Sequence, residues 1–160
     1  HSHSHFLTGD GIGERPTLRE ILREAFDLRS VVTVRDPVDS YLSMVAYGWQ
    51  HHFSPSTFDE YCRRYLIFLD RYQGVDIIRY EDFVDDPARA MRHICTTLDL
   101  TYSDEFIDLF DALRLSGDSG RSGSIIEKRV RRIDAVDISE MTKDSNHYRD
   151  LARLLRYEIV

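Results

Sequence analysis

Lysine is almost missing from this 160-residue chain: Lys128 and Lys143 are the only two, against nineteen arginines. No glycine-rich turn carries a lysine, so the phosphate-loop pattern G-x-x-x-x-G-K-[ST] is absent. Acidic residues outnumber basic ones, 28 to 21. The formal net charge is −7, which excludes general nucleic-acid affinity, since that needs a basic face. An anion site here has to be a local cluster of arginines in an acidic molecule. No apolar run approaches 18 residues, so no membrane span is expected. There is no secretory signal pattern either. Cysteine is limited to Cys62 and Cys95, without metal-ligand spacing. They read as buried free thiols, which suits a reducing compartment and a cytoplasmic location.

What is present is globular. Apolar residues make up 42% and charged residues 31%, at a length that suits one domain over 1–160. "TLREILREAFDL" places Leu18, Ile21, Leu22, Ala25 and Phe26 on one helical face, with Thr17 and Glu20 spaced as a capping box. "SVVTV" is the size of a buried strand, and Pro37 opens a helix to about Trp49. "TFDEYCRRYLIFLDRY" is a further helix, with Thr57 and Glu60 again spaced as a box. Next come a second strand, "VDIIRY", and a helix capped by Asp86 with Pro87 in its first turn. "SDEFIDLFDALRL" reads as helix, Ser116 to about Ser139 as a long connection, and "SNHYRDLARLLRYEI" as a closing helix. Strands separated by helices imply an α/β fold with a parallel sheet flanked by helices. Two strands are too few for so many helices. Either strands hide in the loops, or part of the sheet lies outside this chain.

The turn "VRDPVDS" has a plain explanation. Asp36 is a good helix cap, Pro37 is pre-set for the first turn, Asp39 suits the positive helix end, and Arg35 can pair with Asp39. It also has a functional one. Ligands of parallel α/β sheets bind beyond the carboxyl ends of strands, where Arg35 stands, and a guanidinium grips phosphate through two parallel hydrogen bonds. Ser43, two turns into the helix on a face with Ser40 and Tyr47, could donate to the same anion.

On these residues the chain resembles the sulfotransferases that use 3′-phosphoadenosine 5′-phosphosulfate. "RDPVDSYLS" is similar to that family's 3′-phosphate-binding segment, an Arg at a strand end and a Ser eight residues later. "IIRYEDFVDDPARAMRHICTTLDL" looks like its strand, Tyr-Glu-Asp turn and following helix, with Tyr80 matching a tyrosine near the adenine. "LSGDSGRSGSIIEKR" resembles the late loop that closes over the 3′-phosphate, which would give Arg121, Ser122 and Gly123 that role. "YRDLARLLRYEI" is similar to the terminal helix.

The resemblance implies a P-loop-NTPase-like sulfotransferase fold, incomplete at its N-terminus, with the first strand and phosphate loop expected upstream of His1. It implies sulfuryl transfer from 3′-phosphoadenosine 5′-phosphosulfate to a hydroxyl or amine of a small-molecule, glycan or lipid acceptor. The product is adenosine 3′,5′-bisphosphate, and no metal is required. "HSHSH" then falls where the family keeps its catalytic base. His1 fits best by position, with His3 and His5 as fallbacks; adventitious metal binding or a non-native remnant are the competing accounts. Tyr41, Tyr47, Trp49, Phe53 and Phe58 could line an acceptor pocket or fill the core. The alternative function is a non-catalytic 3′-phosphonucleotide-binding or partner-docking module. "GDSG" at residues 117–120 also occurs around a serine-protease nucleophile, but in antiparallel barrels that this helix-rich pattern does not match.

Overall fold

The computed structural model of the chain describes residues 11–109, 126–127 and 135–160. Its described residues fall into two compact units, one of residues 11–28, 35–74 and 135–160, the other of residues 29–34, 75–109 and 126–127. His1, His3, His5, Arg121, Ser122 and Gly123 lie outside the described residues.

The second unit holds the sheet. β1 (Val31–Val34) pairs in parallel with β2 (Asp76–Arg79), Val31 opposite Asp76 and Val34 opposite Arg79. Val32, Val34 and Ile78 are buried while Thr33 and Ile77 are exposed, so the strands alternate instead of being buried on both faces. α4 (Tyr80–Asp85) starts where β2 ends, and α5 (Pro87–Leu98) packs on both strands. The Tyr-Glu-Asp turn of the sequence reading is therefore a short helix. α5 begins as expected: Asp86 accepts from the Arg89 amide and Pro87 fills the first turn. Asp76 takes a hydrogen bond from the Thr97 hydroxyl at 2.7 Å, which ties α5 to the sheet edge. Beyond it, Asp104–Phe106 is a 3₁₀ turn at the start of the expected helix, whose residues 110–115 lie outside the described residues. Ser103 caps it, and the Ile107 and Asp108 amides reach back only three residues.

The first unit is helical: α1 (Leu18–Leu22), α2 (Pro37–Ala46), a 3₁₀ turn at Trp49–His52, α3 (Phe58–Arg71), α6 (Ala135–Thr142) and α7 (Asn146–Leu155). Aromatic rings bind α2, α3 and α7 together. Tyr41 meets Phe58 at 5.2 Å and Tyr61 at 5.4 Å, and Phe58 meets Tyr148 at 5.3 Å. Cys62, Leu151 and Ala152 are fully buried among them, and Cys95 is buried in the other unit; both cysteines are free thiols. Arg64 is also buried, at 1% exposure. Glu60 accepts its Nε at 2.7 Å, and its guanidinium lies over the Phe53 ring. A buried charge needs such a partner, because desolvation would otherwise cost several kcal/mol.

Asp59 links the two helix starts. Its carboxylate accepts from the Ser145 hydroxyl at 2.6 Å and lies 2.8 Å from His147 Nδ1, while Ser145 itself caps α7. These bonds and burial act on the Asp59 carboxyl in opposite directions, and the net effect holds it below its ordinary range.

Three further readings change. α1 is one and a half turns long, and Leu18, Ile21 and Phe26 are exposed: periodicity shows which residues share a face but supplies no partner for that face. At α3 only half of the second capping box forms. Thr57 accepts from the Glu60 amide, but the Glu60 carboxylate turns to Arg63 and Arg64 one turn on. α6 occupies part of the stretch read as connection, burying Ile138 and Thr142.

The first capping box does form, with Thr17 and Glu20 bonded reciprocally at 2.6 and 3.1 Å. Arg71 then reaches Glu20 from α3 at 2.5 Å, and its hydrogen bonds and those of Thr17 lower the Glu20 carboxyl to about 2. A carboxyl depressed in the folded state stabilises above its unfolded value and loses that contribution as pH falls through the folded one. Between about pH 5 and about pH 3 the parent should therefore lose more thermal stability than Glu20→Gln. Equal slopes for the two would show that the pair contributes nothing.

Candidate anion site at the start of α2

The sequence Val34-Arg35-Asp36-Pro37 carries the chain from β1 into α2. Asp36 behaves as the sequence predicts, one carboxylate oxygen accepting from the Val38 amide at 2.9 Å and the Asp39 amide at 3.0 Å. These are donors that a helix N-terminus would otherwise offer to an anion. Two of them are taken by the protein itself, so recognition rests mainly on side chains.

Asp39 and Ser43 are four apart on α2 and share one stripe of it, while Arg35 stands just ahead of the helix cap Asp36. Arg35 Nη2 lies 3.9 Å from Asp39 Oδ2, placing the guanidinium on that stripe. The Arg35 amide donates to the Tyr65 hydroxyl at 3.3 Å, so α3 fixes the backbone from which the side chain starts. Ser43 is exposed, its hydroxyl without a partner among the described residues. Ser40 is different, since Tyr61 donates to its hydroxyl at 2.7 Å and turns it towards α3. Ser40 is thus part of the packing and Ser43 is the available donor. Tyr61 is wholly buried, and that desolvation pushes its phenol well above the ordinary range, keeping it neutral and able to donate.

The plain account of the turn is therefore realised. Arg35 pairs with Asp39 as an ordinary ion pair, at a separation long enough to leave the contact loose. One turn beyond Asp39 on the same helix, Ser43 offers an exposed hydroxyl. Chemically the stripe can hold a small dianion through a guanidinium and one hydroxyl, at the expense of the Asp39 contact. Among the described residues no group of three or more His, Cys, Asp or Glu is placed to hold a metal ion. No described helix is long and apolar enough to cross a membrane.

Residues 16–104, more than half of the chain, match the family model described as sulfotransferase family. The chain belongs to the sulfotransferase family. No curated protein and no solved structure matches it. Within the sulfotransferase match lie the whole Arg35–Ser43 stripe, both strands and Tyr80. Tyr80 is half-buried as the first residue of α4, in the sheet-bearing unit.

Sequence reasoning named the Arg35–Asp39 pair, and it forms. It missed that Tyr65 accepts from the Arg35 amide and that Tyr61 holds Ser40 in the packing, and no local signal could have found them, since these partners lie 30 and 21 residues away. Of the five aromatic residues left open, Tyr41, Phe53 and Phe58 are core, while Tyr47 and Trp49 are exposed.

Proposed function

We propose that this sulfotransferase-family chain moves a sulfuryl group from 3′-phosphoadenosine 5′-phosphosulfate to an acceptor hydroxyl or amine. The observation that carries the reading is the Arg35–Asp39–Ser43 stripe, a cation and an open hydroxyl on one helix face inside the family-matched segment. In this reading Arg35 and Ser43 hold the 3′-phosphate, and Tyr80 lies near the adenine. Arg121 with Ser122 and Gly123 closes over the same phosphate. The nucleotide supplies an activated sulfuryl group. A histidine of "HSHSH", His1 first and His3 or His5 after it, takes the proton of the acceptor. The leaving product is adenosine 3′,5′-bisphosphate.

Calorimetry with adenosine 3′,5′-bisphosphate tests the binding half of this proposal, and a transfer assay over a panel of hydroxyl and amine acceptors tests the other. The expected result is saturable binding at one site and sulfated product. Binding without transfer to any acceptor would favour a 3′-phosphonucleotide-binding module. Absence of binding would overturn the assignment of the stripe.

A further inference from the structure

α1 is turned the wrong way round for a helix that serves only its own chain. Leu18, Ile21, Leu22, Ala25 and Phe26 share one face, and the Phe26 amide still reaches the Leu22 carbonyl, so the helical course carries that face past the end of α1. Yet Leu18 is 49% exposed, Ile21 57% and Phe26 61%. The contact with α3 is made from the polar back instead. Arg71 grips the Glu20 carboxylate through Nε at 3.2 Å and Nη2 at 2.5 Å, and its Nη1 donates to the Gly13 carbonyl. The Thr17 amide donates to the same carboxylate at 2.6 Å. These bonds fix the rotation of α1 and hold its apolar face out to solvent. The charges beside that face are sorted by sign. Arg19 and Arg23 run along its Leu22–Phe26 side, and Glu24 stands on its Ile21–Ala25 side. Arg19, Arg23 and Glu24 have no side-chain partner among the described residues.

We infer that this face seats a second copy of the chain, two α1 helices lying side by side and parallel about a twofold axis. The pairing is independent of the nucleotide site. Charge chooses both the occupant and its direction. In a parallel pair the arginine flank of each copy faces the glutamate flank of the other, and Arg23 of one comes level with Glu24 of the other to within one residue's rise, about 1.5 Å. An antiparallel pair would set arginine against arginine and Glu24 against Glu24, which like-charge repulsion disfavours. An anionic lipid surface would answer the arginines and repel Glu24. A purely apolar partner would leave all three charges unanswered. A second copy supplies both signs and an apolar face of the same shape. A face of five apolar side chains is well below the roughly 20–30 residues a side of a standard interface, so the dimer is transient and concentration-dependent.

Sedimentation velocity from about 10 μM to about 1 mM should show a reversible monomer–dimer equilibrium with a dissociation constant of about 0.1 mM. Ile21→Asp should keep the chain monomeric through that range. Its melting temperature should match the parent's, because Ile21 is exposed and a surface change costs little stability. Arg23→Glu alone and Glu24→Arg alone should each weaken dimerisation about tenfold, since each sets like charges together on both sides of the twofold axis. The double variant Arg23→Glu with Glu24→Arg should recover the parent equilibrium, because the swapped charges pair again. A parent chain still monomeric at the top of the range, an Ile21→Asp variant that dimerises like the parent, or a double variant no better than the singles would each overturn the inference. A monomeric chain that binds vesicles of phosphatidylcholine and phosphatidylserine would give the face to a lipid surface and overturn it too.

Discussion

Arg35→Ala should weaken binding of adenosine 3′,5′-bisphosphate by about 2–4 kcal/mol, the loss expected when a charge-assisted bidentate contact to phosphate is removed. The geometry adds a second expectation. Asp39 already pairs with this guanidinium at 3.9 Å and would stand beside the bound phosphate, so it repels the ligand and competes for the same cation. Asp39→Asn should therefore tighten binding, because the Asp39 side chain is only 15% exposed and its repulsion of the ligand is little screened by salt. Ser43→Ala should cost about 1 kcal/mol, one neutral hydroxyl donor. Calorimetry on the three variants separates the cases. A phosphate held at the stripe gives opposite signs for Arg35→Ala and Asp39→Asn. A parent-like affinity in both removes the stripe from the site. The Arg35 amide, bonded to Tyr65, is unaffected by the side-chain change, so the fold should persist.

The largest effect on stability is expected at Leu151. It is fully buried in α7, with 0% of its surface exposed, and α7 packs on both α2 and α3. Leu151→Ala should destabilise the protein by about 2–5 kcal/mol, from lost transfer energy and the cavity left behind. That is a large fraction of the roughly 5–15 kcal/mol that holds a typical domain together. Leu151→Met keeps the volume and should cost less than about 1.5 kcal/mol. Urea unfolding of the two variants distinguishes a packed core position from a tolerant one. Equal midpoints for both and the parent would show that α7 is not stabilising the helical unit.

The parts of this structure that could be read from sequence are those decided by local chemistry. Thr17 with Glu20, Asp36 with Pro37, and Asp86 with Pro87 each fix a helix start within four residues, and all three form as read. The strands were legible because Val31–Val34 and Asp76–Arg79 are short β-rich runs between turn signals. What escaped depends on partners far along the chain. The exposed face of α1 looks like a core face, because a helical pattern does not reveal whether anything covers it. The division of five aromatic residues into three core rings and two surface rings followed no pattern in their order. Asp59 finds Ser145 and His147 across 86 and 88 residues, a pairing that no window of sequence contains. At the candidate site the spacing of Arg35 and Ser43 was legible, while Tyr65, which accepts from the Arg35 amide, was not.

Cys62 has a use beyond packing. It sits fully buried on α3, and burial, with the charges of Asp59 and Asp36 nearby, pushes its thiol far above the ordinary range. A thiol without thiolate and without access is inert to alkylating reagents. Reagent reaches it only when the helices part, so its labelling rate counts opening events of the helical unit. Cys95, buried in the sheet-bearing unit, keeps a second count. Mass spectrometry that resolves the two cysteines would time each unit separately, in one sample and under native conditions. The protein thus carries two built-in clocks, one in each half of its architecture.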